Sequence, residues 1–206
     1  MLATPPMAPL PEAEEPRTRR IVEVALHLAE QGGFSAVRLR DVAQEAGVAL
    51  RTLYKRFPSK DDLLFAVLAG EMLRLEQQLG GRPPSGPTPV ARVHALFEFL
   101  TEFLCGRPNL GRAVARALSG GSVSLTEQVS TFHLRIAALV AEAVQGHASP
   151  PPVDPEHPHL RLASMLQHVW FSSLITWSNG RYDRAQIVAA VTDAAALVLD
   201  PPHDPA

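Results

Sequence analysis

Apolar residues recur at spacings of three and four along almost the whole chain, and that period leaves little choice of fold. Ile21, Val24, Ala25 and Leu28 make one such face, and Leu39, Val42, Ala43 and Ala46 a second. Leu64, Leu68, Met72, Leu75 and Leu79 make a longer stripe. Positions i, i+3, i+4 and i+7 share one side of an α-helix, whereas a half-buried strand would alternate. No alternating run rises above the noise. Val90, Val93, Phe97, Leu100 and Leu104, with Leu96, Phe99 and Phe103, give a helix that is apolar on two faces and therefore central to its domain. Further helices are expected at about 109–118, 125–144, 159–179 and 183–199. The last two carry Leu162, Leu166, Trp170, Leu174 and Trp177, then Ile187, Val191, Ala194 and Val198. The expected fold class is all-α.

Glycine and proline punctuate this pattern. Gly32–Gly33 and Gly47 close the first two helices. Pro58 blocks continuation of a third, which spans little more than 50–57. Ser59 and Asp62 then form a capping pair at the start of the fourth. The stretch GRPPSGPTP (81–89) reads as a boundary loop, and GHASPPPVDPEHP (146–158) as a second loop. The first 15 residues, rich in proline and acid, read as a disordered arm, and 201–206 as a frayed tail. Between them lie an expected helix-turn-helix domain at 16–58 and a helical domain at 59–200.

The third helix is too short to persist alone, because nucleation is costly. Its inward residues, Val48, Leu53 and Phe57, must be buried by the two helices before it. Its outer face is a polar stripe in which Arg51 and Lys55, and Thr52 and Arg56, stand at i, i+4. Over 38–60, six cations (Arg38, Arg40, Arg51, Lys55, Arg56 and Lys60) meet two carboxylates (Asp41 and Glu45). That local balance of +4 sits in a chain whose total is −2. A positive surface confined to one motif attracts polyanions there and not elsewhere. Arginine offers the fork that matches guanine or phosphate, and Tyr54 and Thr52 offer hydroxyls to phosphate oxygens. Lys60 falls at the first turn of the fourth helix, which already favours an anion. Taken singly, each of these residues is as well explained by packing or by a solvated face. Their combination after two well-formed helices is what points to DNA.

The block IVEVALHLAEQGGFSAVRLRDVAQEAGVALRTLYKRFPSKDDLL (21–64) resembles the TetR family of bacterial transcriptional regulators. The likeness is carried by Gly33–Phe34, Val42–Ala43, Ala46–Gly47–Val48, Thr52–Leu53–Tyr54, Phe57 and Ser59–Leu63. It implies a homodimer in which three N-terminal helices read operator DNA, while the remaining helices bind a small molecule and dimerise through the last two. It also implies phosphate contacts from Thr52, Tyr54 and Lys60, and base-facing positions at Leu50, Arg51 and Lys55. Three residues depart from the common pattern. Arg38 and Ala49 replace hydroxyl caps, and Arg51 replaces a frequent glycine, so an operator unlike that of most relatives is expected. RPNLGRAVARAL (107–118) and VWFSSLITWSNGR (169–181) resemble the actinobacterial repressors of steroid catabolism within the family, which respond to steroid acyl-CoA thioesters.

Phe97, Leu100, Phe103, Leu104, Phe132, Ile136, Met165 and Trp170 are candidates to line a site for an apolar effector. For any one of them core filling is the simpler account. His94, His133 and His168 read as hydrogen-bonded core histidines, since no cysteine or carboxylate stands at ligand spacing beside them. Arg112 and Arg116 either hold an anionic ligand end or are solvated, with solvation the simpler reading. Trp170, Trp177 and the alanines 189, 190, 194 and 195 form the expected dimer face, with an internal surface of a monomer as the alternative. No metal, cofactor or membrane partner is expected. The one cysteine, Cys105, and the absence of a basic, apolar leader fit the cytoplasm. No phosphate-cradling glycine loop, paired acids or nucleophile with a base appears, and GGSVS (120–124) lacks the shape of a nucleophile elbow, so an enzyme is not expected. The rival reading is a helical receptor that acts through a protein partner without binding DNA.

Overall fold

A computed structural model of the chain describes residues 16–80, 84–119, 126–147 and 157–200. The expected arm (1–15), the tail (201–206), GGSVS, and parts of both proline-rich loops lie outside the described residues. Among the described residues there are nine helices and no strand. They are α1 (Pro16–Ala36), α2 (Leu39–Glu45), α3 (Leu50–Arg56), α4 (Lys60–Leu79), α5 (Pro89–Cys105), α6 (Pro108–Ser119), α7 (Thr126–Gln145), α8 (Pro158–Ser178) and α9 (Arg184–Leu199). The sequence period therefore finds every one, with most ends shifted by a residue or two and α1 running on past its glycine break to Ala36.

The helices gather into two compact units that are not contiguous in sequence. The first holds α1–α3, α4 as far as Leu75, and α6. Here α1 packs on α2, α2 on α3, and α6 along α1. Small residues make the α6 approach close: Gly111, Ala113, Ala115 and Ala117 are all buried. Ile21, Val24, Ala25 and Ala29 of α1 are also buried.

The end of α1 shows how this packing is fixed. Helical geometry breaks at Gly32 (φ −137°, ψ 16°) and Gly33 (φ 66°, ψ −157°), as the paired glycines predict. A break frees carbonyls that would have accepted bonds from the next turn. Asn109 of α6 takes over, its Nδ2 donating to the Glu30 and Gln31 carbonyls at 3.0 Å each. Arg107 adds an ion pair to Glu30 at 3.2 Å and another to the buried carboxylate of Glu71, which also accepts from Arg74. Sequence reasoning did not anticipate this use of α6.

The second unit holds α5, α8 and α9 with α7 from Phe132 onward and the last residues of α4, from Glu76. Its interior contains Phe97, Leu96, Leu100, Leu166, Leu174, Ile187 and Val191. Trp170 packs on Phe97 with ring centroids 5.8 Å apart, and its indole N–H donates to Thr101 Oγ1 at 3.0 Å. A buried indole needs such a partner. Arg92 ties α5 to the end of α7, donating to the Ala143 and Val144 carbonyls at 2.7 and 2.8 Å. Asp183 and Gln186 form a reciprocal cap on α9.

The glycines offer a direct test of this backbone reading. Gly33 lies in a region reserved for glycine, while Gly70 sits inside α4 with open space where a Cβ would go. Gly33→Ala is expected to lower the unfolding free energy by about 1–3 kcal/mol. Gly70→Ala is expected to raise it by about 0.5–1 kcal/mol. Urea unfolding of both variants measures the two signs, and equal signs would contradict the assignment.

Candidate DNA-reading surface and effector region

The turn before α3 is built by backbone geometry. Gly47 takes φ 68°, which lets its N–H reach the Gln44 carbonyl at 3.2 Å and the Val48 N–H reach that of Ala43 at 2.9 Å. This is the paired closure of a helix end by glycine. Neither Arg38 nor Ala49 caps the following helix with its side chain, as the sequence predicts. The seven-residue α3 is held instead by Leu53, fully buried, and by Phe57 just beyond it, 6% exposed. Val48 is only half-buried.

That anchoring leaves the opposite face outward. Arg51, Thr52, Tyr54, Lys55 and Arg56 of α3 are all exposed, as are Arg38 and Arg40 beside α2. Leu50 is half-buried. Among the described residues no carboxylate pairs with any of these arginines or with Lys55. Their charge is therefore available to a polyanion.

Lys60 is half-buried at the start of α4, where Ser59 and Asp62 form the expected cap. Its ammonium lies 3.8 Å from the centroid of the Phe34 ring. Burial, then the Arg116 guanidinium, lowers its pKa below the ordinary value; Arg38 acts in the same direction and Asp61 opposes them. Of the residues assigned to DNA from the sequence, all are exposed except Leu50 and Lys60, which are half-buried.

The expected effector residues divide. Phe97, Leu100, Phe132, Ile136 and Trp170 are buried, and Phe103 and Leu104 are half-buried. Met165 is 42% exposed, which corrects its placement inside. It precedes the buried Leu166, and one helical step turns a side chain by about 100°. The expected dimer face needs a similar correction. Trp170, Trp177 and Ala195 are buried within their own unit, Ala190 and Ala194 are half-buried, and Ala189 is exposed. The large exposed apolar side chains of α8 and α9 are Met165, Leu197 and Val198.

The histidines also diverge from the core reading. His94 and His168 are exposed, with His94 Nδ1 2.9 Å from Thr192 Oγ1 and His168 Nδ1 2.6 Å from the Ser164 carbonyl. Between α5 and α9 runs a groove of about 520 Å³, bordered by His94, Glu98 and Glu102 on one side and Arg184, Val188 and Thr192 on the other. Arg184 crosses it to Glu102 at 2.6 Å. Its polar residues sit on helix faces that apolar periodicity ignores. Among the described residues no cluster of three metal-ligating groups occurs, and no helix is long and apolar enough to cross a membrane.

Residues 21–67 match the family of bacterial regulatory proteins of the TetR type, and residues 86–198 match a tetracycline-repressor-like C-terminal domain. The chain belongs to the TetR family. It is accordingly a DNA-binding transcription regulator and not an enzyme. The HTH-type transcriptional repressor KstR of Rhodococcus jostii RHA1 is 30% identical over 187 residues, covering 91% of this chain and 84% of that protein. A crystal structure of a TetR transcriptional regulator from Rhodococcus sp. RHA1 superposes with a TM-score of 0.76 at 25% identity, over 91% of this chain and 97% of the other. The fold also matches Thermus thermophilus FadR, a TetR-family repressor solved with lauroyl-CoA, with a TM-score of 0.65 at 21% identity, over 91% and 97% of the two chains.

His133 of α7 gives the second unit a pH signature. It is half-buried among Phe132, His168 and Phe171, with ring centroids 6.2–6.5 Å away. Burial first, and His168 second, lowers its pKa. The unfolded chain then takes up a proton near pH ~6.5 that the folded chain still refuses. Stability is therefore complete above that pH and falls as the pH drops through it. His133→Gln is expected to lose less Tm than the parent between about pH 7.5 and 5.5. An equal loss in both proteins, read by circular dichroism, would contradict this.

Proposed function

We propose that this protein is a repressor that grips an operator as a homodimer and releases it when an apolar or acyl-CoA-type molecule occupies its C-terminal helices. The carrying observation is the α3 stripe: Arg51, Thr52, Lys55 and Arg56 face solvent while Leu53 is wholly buried behind them. Such a helix presents forked and point cations to base edges and phosphates at once. In a dimer, two copies must sit ~34–36 Å apart to enter successive major grooves. Met165, Leu197 and Val198 on α8 and α9 are the apolar groups left for a self-complementary contact. We take residues 16–58 as the DNA-reading domain and 59–200 as the effector and dimer domain, in the cytoplasm.

The effector class rests on the buried apolar set of α5, α7 and α8 and on the likeness to steroid-catabolism repressors. Thermus thermophilus FadR, which shares the fold, was solved with lauroyl-CoA, and this supports the reading. Coupling has a physical route within the chain. Arg135 of α7 holds Glu76 near the end of α4 with two bonds, at 2.8 and 2.5 Å. Lys60 stands at the other end of the same helix. An effector that shifts α7 therefore pulls on α4 and moves the helix that begins beside α3. By linkage, DNA and effector each weaken the other.

The test begins with duplexes selected by the protein from a random library and binding followed by anisotropy. Tight binding that falls steeply with log[salt] is expected, together with release by long-chain acyl-CoA or a steroid thioester. Arg51→Ala is expected to weaken selected-site binding by about 1–3 kcal/mol and to relax preference at one base pair. Flat or absent duplex binding would favour a receptor that works through a protein partner instead. Arg135→Met probes the coupling. It is expected to keep duplex affinity but to raise the effector concentration for half-release at least about fivefold. Parent-like release would sever α7 from the response.

A further inference from the structure

Phe34, beyond the break in α1, carries two cations on one ring. Lys60 Nζ lies 3.8 Å from its centroid, and Arg116 Cζ of α6 lies 4.5 Å from it. The separation of the two charges cannot exceed the sum of those distances, a span comparable with the ~8–10 Å Debye length. A ring attracts a cation but does not cancel its charge. Among the described residues no carboxylate forms an ion pair with Lys60, Arg116 or Arg38. Arg116 and Arg38 both disfavour the charged form of Lys60, and Asp61 is the one acid that opposes them. The cluster is thus electrostatically frustrated in a way that a bound anion relieves.

Arg116 stands far from the helix-turn-helix in sequence, and fold alone brings it there. The buried small residues of α6 seat that helix along α1 in the same compact unit. Arg116 then projects, exposed, from its last turn. An arginine in that turn suits the helix dipole, but the dipole does not require it to lie over Phe34.

We propose that Arg116 is a further DNA-contacting residue, forming with Lys60 a phosphate clamp built on the Phe34 ring. The guanidinium fork matches phosphate oxygens. Lys60 adds a point charge at the first turn of α4, where the helix dipole favours an anion. The effector-anchoring role that the sequence left open for Arg116 is thereby replaced by one on the operator. This inference rests on the DNA-binding reading given above.

The experiment is a salt titration of duplex binding by the full chain, comparing the parent with Arg116→Gln and Arg116→Lys on one selected duplex. Losing one phosphate contact per subunit is expected to make the slope of log K against log[salt] shallower by about 0.9 per half-site, or about 1.8 for a dimer. Arg116→Gln is expected to show that change with an unaltered melting temperature, and Arg116→Lys to keep the parent slope. A parent-like slope in Arg116→Gln overturns the clamp, whether or not affinity falls, because a merely structural role changes affinity without changing the count of displaced ions. A shifted effector midpoint with an unchanged slope also overturns it and returns Arg116 to the effector. If the parent itself binds duplex without salt dependence, the DNA-binding reading fails, an outcome distinct from failure of the clamp alone.

Discussion

The burial of Leu53 and Phe57 is the contact on which the rest depends. A helix of seven residues has too few internal hydrogen bonds to repay its nucleation. No side chain caps its start, since Ala49 has no acceptor to offer. What holds it is packing on α2, made possible by the left-handed glycine at position 47. Truncating a fully buried leucine typically costs about 2–5 kcal/mol, a large share of a domain's margin. The same packing that hides Leu53 turns Arg51, Lys55 and Arg56 outward, so one interaction both makes the helix and aims its chemistry.

Electrostatics then decides what the surface is for. The chain as a whole is slightly acidic, yet the DNA-reading motif is positive and its cations form no ion pair with a carboxylate among the described residues. Elsewhere several cations are matched: Arg107 with Glu30 and Glu71, Arg135 with Glu76, and Arg184 with Glu102. Those paired cations hold helices together, whereas the cations of the motif have no such structural use. The contrast also gives α4 two distinct ends, an unpaired lysine at the first and a bidentate carboxylate at the last.

Much of this was legible in the sequence, for reasons that also explain the misses. Apolar period marks helices, and Gly32–Gly33, Gly47, Pro58 and the Ser59–Asp62 cap mark their ends, so each of the nine helices among the described residues is legible. The cationic stripe was legible because Leu53 and Phe57 fix which way α3 faces. Met165 and Val198 were misplaced because helices apolar on more than one face do not reveal which face meets a neighbour. The seat of α6 on α1 was hidden altogether. It depends on Asn109 meeting carbonyls some eighty positions earlier, a pairing with no local signature. Arg116 was hidden for the same reason, since only that seat brings it to Phe34.

The most direct measurement is amide hydrogen exchange on Leu53→Ala, paired with its affinity for a selected duplex. If side-chain burial alone sustains the reading helix, protection over residues 50–56 should vanish and duplex affinity should fall with it, while α5, α8 and α9 exchange as in the parent. Lost protection with undiminished duplex affinity would mean that another surface binds DNA, and the account of this regulator would be wrong at its foundation.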